Sequence, residues 1–251
     1  RKYTCNLLGI KQFNLEDDLV DVVQGDILYV PDFYRDGVIK ASKAGLYLRL
    51  KAVGVSINFL VYDILPILTP EFFPEGDNVF HAEWLREITI SADRLICISK
   101  ATADNLAFWI KACGLHRTKD VTIYFVHQGA DIATSGFSTG FPEDAQKILK
   151  KLKAKPSFLM VGTIEPRKGY LQTIAAFEQL WSEGYEVNLV IVGKEGWKHL
   201  PHHQRRTIPK IVATLRHHKE LGNRLFWLEG ISDEYLEQIY DACTCLIMAS
   251  E

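Results

Sequence analysis

Short apolar runs rich in β-branched residues recur along this chain with helix-length segments between them, and this alternation constrains the fold more than any other feature. A first series occupies residues 27–30, 56–62, 95–99 and 121–126. A second occupies 158–161, 187–192, 225–228 and 245–248. Nearly continuous apolar strands need cover on both faces, which helical crossovers supply, so each series predicts a parallel sheet built from βαβ units. Between them HQGADIATSGFSTGFPED, residues 127–144, is rich in Gly, Ser, Thr and Pro and reads as an interdomain connection. The predicted division is an N-terminal α/β domain over 1–126, a linker with a short basic helix over 127–156, and a C-terminal α/β domain over 157–251. Helix signals agree. Ser232, Asp233 and Glu234 place a capping hydroxyl and negative charge before YLEQIYDA. Leu171, Ile174, Phe177 and Trp181 keep helical spacing, and Gly184 can end that helix.

Charge narrows the partners. Lys and Arg total 29 against 31 Asp and Glu, a formal net charge of -2, so no bulk field attracts nucleic acid and an anionic ligand must be met by a local cluster. The five cysteines are scattered through apolar runs, as expected of core thiols in a reducing, cytoplasmic setting. Cys243 and Cys245 lack the spacing and the partner pair of a zinc site, and the two His-His pairs, His202-His203 and His217-His218, lack a catalytic zinc signature. These pairs, with His199, read as part of a solvated basic helix. No apolar run approaches the ~20 residues needed to span a bilayer. The chain opens Arg-Lys-Tyr, which leaves a preceding targeting segment open.

A doubly wound sheet collects ligands at the carboxyl ends of its strands. The dinucleotide pattern G-x-G-x-x-G is missing, because no two of the 17 glycines stand two apart. The G-x-x-x-x-G-K-[ST] loop is missing as well. What remains is FLMVGTIEPRKGYLQT, residues 158–173, in which an apolar strand runs into Gly162 and Thr163 and then into Arg167 and Lys168 before a helix. Gly162 allows close backbone approach, the helix N-terminus offers free N–H groups, and the two cations supply positive charge: a combination suited to a diphosphate. The alternative is a pair of solvated loop cations.

FLMVGTIEPRKG, LVIVGKEGW and RLFWLEGISDEYLEQIYDACTCLIMASE together resemble the C-terminal domain of family-4 retaining glycosyltransferases of the GT-B fold. FLVYDILPILTPEFFPEG (59–76), ADRLICISKATADNL (92–106) and HQGAD (127–131) resemble the N-terminal half of the same family. The resemblance implies two Rossmann-like domains facing a cleft, both incomplete here. It implies transfer of a sugar, with retention, from a nucleotide diphosphate donor, UDP-sugar before GDP-sugar, to a glycan or lipid-linked acceptor in polysaccharide biosynthesis. It implies no obligatory metal and no cofactor beyond the donor itself.

By the same resemblance Arg167 and Lys168 neutralise the diphosphate, Gly162 and Thr163 lie near the phosphates, Glu229, Gly230, Ile231 and Ser232 help build the nucleobase pocket, and Gly193 and Lys194 end a strand beside it. Asp63 takes the position of a residue that contacts the donor sugar or orients the acceptor, although Tyr62 stands where the family commonly has His; a turn-capping role is the alternative. Ser99 either touches donor or acceptor or caps the helix that begins ATADNL. Trp197 either walls the nucleotide site or braces its loop.

The family's opening Gly-rich loop has no counterpart before Asp26, and its acidic E-x7-E segment would follow CLIMASE. The expectation is therefore a piece of a longer enzyme that transfers sugar poorly by itself, with Glu251 given no role. The segment 105–119, NLAFWIKACGLHRTK, mixes apolar and basic residues in a pattern that suits either peripheral contact with an anionic membrane or core packing. The reading from another functional class is a non-catalytic nucleotide-sugar sensor or scaffold on the same fold; a related epimerase or phosphorylase is a third.

Overall fold

The computed structural model describes residues 20–115, 121–129 and 136–250. By its internal contacts the chain divides into two units, one comprising Arg1–Asp63 and Trp84–Val126, the other Ile64–Glu83 and His127–Glu251.

In the first unit β1 (Ile27–Val30), β2 (Ser56–Val61), β3 (Arg94–Cys97) and β4 (Thr122–Phe125) form a parallel sheet in the order β1-β2-β3-β4. The crossovers carry α1 (Arg35–Lys43), α2 (Leu46–Val53), α4 (Asp77–Ser91), which joins this unit from Trp84 onward, and α5 (Lys100–Ala112); the short α3 (Leu65–Leu68) follows β2 and groups with the second unit. The strand β2 is buried along nearly its whole length, as a central parallel strand must be. Tyr47 from α2 meets Phe59 of β2 edge-on at 5.4 Å, and Trp84, Leu85 and Ile88 bury one side of α4. The sequence periodicity places the end of the third strand at Ser99, but pairing stops at Cys97. Ser99 instead turns the chain into α5, its Oγ accepting from Thr102 N at 3.1 Å.

In the second unit β5 (Ser157–Val161), β6 (Asn188–Val192), β7 (Leu225–Leu228) and β8 (Cys245–Leu246) pair in parallel in the order β7-β6-β5-β8. The helices are α6 (Ala145–Ala154), α7 (Tyr170–Ser182), α8 (Ile208–Arg216) and α9 (Asp233–Ala242). Successive residues of β6 alternate between two cores. Leu189 and Ile191 join Tyr170, Phe177 and Trp181 of α7 and Ile211 and Leu215 of α8. Val190 and Val192 join Leu149 and Leu152 of α6 and Tyr235 and Ile239 of α9. The sheet is thus covered on both faces, which is why its strands read as unbroken apolar runs.

The strand order sets the place of any ligand. The chain moves from β5 outward to β6 and β7, then returns to the opposite side of β5 with β8. This reversal opens a crevice beyond the carboxyl ends of β5 and β8, the position at which doubly wound sheets bind ligands. Among the described strands the first sheet has no such reversal.

Candidate active site

At the reversal the backbone comes very close to itself. Gly162 N donates to Val192 O at 2.9 Å and Ile164 N to Lys194 O at 2.8 Å, so β5 and β6 stay paired past their ends. A Cβ on Gly193 would lie 1.8 Å from the Gly162 carbonyl oxygen. Gly162 itself has φ +151°, a conformation that other residues rarely adopt. Its carbonyl accepts from the Tyr170 hydroxyl at 2.7 Å. Burial raises the Tyr170 phenol far above its ordinary range, with the Glu165 carboxylate adding to the effect, so it remains a neutral donor.

Arg167 and Lys168 lie on the single 3-10 turn Pro166–Lys168, immediately before Gly169 and α7. Both side chains are partly buried. Lys168 folds back so that its Cε is 3.8 Å from where a Gly162 Cβ would stand. Lys194, at the end of β6, lies along the neighbouring loop, its Cε 3.3 Å from a Cβ built on Gly230. Among the described residues none of these three cations is held in an ion pair. Cations without an ion-pair partner among the described residues, beside strand ends and the start of a helix, favour an anion.

Supporting groups fix this arrangement from behind. Glu195 pairs with Arg205 at 3.1 Å, Arg205 donates to the carbonyls of Leu200 and Lys198, and Trp227 Nε1 donates to Gly193 O at 2.9 Å. Trp197, at φ +50°, packs against the core of the second unit and braces this loop.

Glu229, Gly230, Ile231 and Ser232 line a cavity of about 590 Å³ beyond the end of β7. A cavity of that size accommodates a small-molecule ligand. The same cavity is lined by Ser138 to Pro142, Asp144 and Tyr235. That stretch lies within the segment read as a linker, yet it is fastened to the start of α9. Ser138 N and Oγ donate to Asp233 Oδ2 at 3.0 and 2.7 Å, and Asp233 N donates to Ser138 Oγ at 2.9 Å. Gly140 N donates to Glu234 Oε2 at 2.8 Å, and Ser232 Oγ donates to Gly140 O at 2.6 Å. The Ser138 hydroxyl, followed by its backbone N–H, holds the Asp233 carboxyl below its ordinary range.

The structure thus gathers Gly162, Thr163, Arg167, Lys168, Gly193, Lys194 and residues 229–232 in the second unit. Asp63 belongs to the first unit, two residues past β2, and is half-buried. Ser99 there serves as a helix cap. Tyr170, Phe141, Asp144 and Tyr235 escaped the sequence reading. Tyr170 had one signal, its i, i+4, i+7 spacing to Ile174 and Phe177 on the buried face of α7.

The histidines require a correction. His218 is not solvated: it is buried, with Nε2 3.1 Å from Glu178 and its ring against Trp181 at 5.6 Å. Among the described residues no group of three or more His, Cys, Asp or Glu is placed to hold a metal ion, and no helix is long and apolar enough to cross a membrane. Glu251 and residues 116–120 lie outside the described residues.

Comparison with known proteins places this geometry. Serotype-specific mannosyltransferase WbdA of Escherichia coli is 44% identical over 205 residues, which are 80% of this chain and 24% of that protein. The chain therefore spans about a quarter of the length of the curated relatives it matches. A UDP-forming alpha,alpha-trehalose-phosphate synthase from Burkholderia xenovorans superposes with a TM-score of 0.60 at 14% identity, covering 88% of this chain and 52% of that one. Anabaena HepE in complex with UDP and glucose superposes with a TM-score of 0.57 at 19% identity, covering 90% and 52%. Residues 142–251 match the family Glycosyl transferases group 1, the part of the chain that holds the glycine-rich strand ends and the three cations. The chain has the fold of the GT-B glycosyltransferases, and its residues 142–251 are similar to the Glycosyl transferases group 1 family.

Proposed function

We propose that this chain is the donor-binding part of a retaining, metal-independent glycosyltransferase. It would transfer a hexose, with mannose suggested by the WbdA relative, from a nucleotide diphosphate to a glycan or lipid-linked acceptor in polysaccharide biosynthesis. The observation that carries the reading is the set of cations without an ion-pair partner among the described residues, Arg167, Lys168 and Lys194, beside Gly162 and Gly193 at the strand ends. As the bond from the anomeric carbon to the diphosphate oxygen breaks, negative charge grows on the leaving group. Fixed cations stabilise that charge more than they stabilise the ground state. Arg167 presents a fork to two oxygens, and Lys168 follows as a point charge. The cavity beyond β7 receives the nucleoside. For Asp63 the proposed role is contact with donor sugar or acceptor, supported by its place just past the carboxyl end of β2.

Cytoplasmic placement with peripheral membrane contact belongs to the same proposal. It is supported by Phe108 of α5, which is 74% exposed beside Lys111.

The decisive experiment is the Arg167→Ala, Lys168→Ala double variant, assayed by release of nucleoside diphosphate from UDP- and GDP-hexoses in the full-length enzyme. Turnover falls by on the order of 10² or more. Unchanged turnover sinks the assignment.

A further inference from the structure

Two groups on the wall of the cavity beyond β7 are left without work by the fold. Tyr235 is fully buried, and its hydroxyl has no hydrogen-bond partner among the described residues. A buried phenol ordinarily finds a partner, and an orphaned one needs a reason. Asp144 stands at the N-cap position of α6, but its carboxylate does not cap the helix. The residue is exposed and lines the same cavity. By contrast, Ser138 and Ser232 have their hydroxyls engaged in fastening the wall to α9.

The chemistry of the pair is complementary. Burial, helped by the Asp144 charge, pushes the Tyr235 phenol up to about 12, so near neutral pH it is a proton donor. The Asp144 carboxylate, when ionised, only accepts. A donor and an acceptor lining one cavity match a carbonyl next to a ring N–H. Uracil and guanine share that lactam edge. Adenine presents an amino group next to a bare ring nitrogen instead. Phe141, which meets Tyr235 edge-on at 5.8 Å and is partly exposed, adds an aromatic surface on which any base can stack.

We propose that Tyr235 and Asp144 are the specificity-determining pair that reads the lactam edge of the donor's base, selecting uridine or guanosine diphosphates over adenosine diphosphate. The inference rests on the assignment of this cavity to the nucleoside and refines it.

The test is calorimetric titration of the chain with UDP, GDP, ADP and pyrophosphate, for wild type, Tyr235→Phe and Asp144→Asn. Wild type should bind UDP or GDP roughly tenfold more tightly than ADP, and each variant should lose roughly three- to tenfold for that nucleotide, with ADP and pyrophosphate unchanged. Removing an orphaned hydroxyl should leave the thermal midpoint of the unliganded Tyr235→Phe protein unchanged or raised, whereas a phenol with a structural partner would lower it. Equal wild-type affinity for all three nucleotides overturns the inference, as do variants that bind UDP and GDP as wild type does or that lose pyrophosphate equally. A wild-type protein that binds neither nucleotide nor pyrophosphate overturns the diphosphate site itself, a failure distinct from loss of base discrimination.

Discussion

The most consequential single residues are those whose side chains are absent or fully committed. At Gly193 an added methyl group would stand 1.8 Å from a backbone oxygen, which cannot swing aside as a side chain would. Gly193→Ala should therefore force β5 and β6 apart where they leave the sheet. We expect a loss of about 1–3 kcal/mol in chemical denaturation, together with weaker nucleotide binding. Wild-type values for both would show that the strand ends separate freely. Glu220 illustrates full commitment, accepting from Arg224 Nε at 2.9 Å, Arg224 Nη2 at 2.8 Å and Asn223 Nδ2 at 2.9 Å. The bonds from Arg224 pull its carboxyl from the ordinary 4.5 down to about 2. A carboxyl whose folded value is depressed contributes stability that is present above its unfolded value and lost as pH falls through the folded one. The stability difference between wild type and Glu220→Gln should thus be full above about pH 4.5 and shrink towards pH 2. A pH-independent difference would contradict the pairing. Glu220 was not legible in the sequence, and Gly193 was legible only as a strand end, because they draw their meaning from atoms 4 and 31 positions away that only the folded backbone brings into contact.

At the scale of elements, the strands were legible nearly to the residue, and their ends were not. Parallel strands buried on both faces announce themselves as apolar runs, whereas a strand's end depends on its neighbour's register. Thus β8 stops at Leu246 because Phe158 and Leu159 are its paired partners, and Met248 beyond it is 70% exposed. The helix starts test this reasoning. Ser99 caps α5 through Thr102 N, and Ser232 caps α9 through Tyr235 N, each at 3.1 Å. Each Ser→Ala change should cost about 0.5–2 kcal/mol, and Asp at position 99 should restore most of that loss. If Ser99→Ala lowers turnover and leaves stability unchanged, its place is with the substrate and not with the helix. The segment 136–142 shows the opposite error. Its composition is that of a linker, yet the Ser138 Oγ and carbonyl accept from the backbone N–H groups of Asp233 and Glu234, which the first turn of α9 leaves unpaired.

For the whole molecule, two units with separate sheets and cores predict that unfolding is not two-state. Scanning calorimetry should resolve two transitions, with Ser99→Ala lowering one and Ser232→Ala the other. A single transition that both changes shift together would mean that the units unfold as one. The alternation of apolar runs determined the two parallel α/β sheets, because burial of both strand faces is a local requirement written into each run. The proposed diphosphate place after Gly162 was likewise legible, since a glycine, two cations and a helix start are contiguous in the chain. Strand order was decided only in three dimensions. The return of β8 beside β5 makes the crevice, the approach of Gly193 to Gly162 makes it tight, and Ser138 on Asp233 turns a linker into a pocket wall. Each of these is a contact between segments far apart in sequence, whose geometry is set by packing and not by local composition.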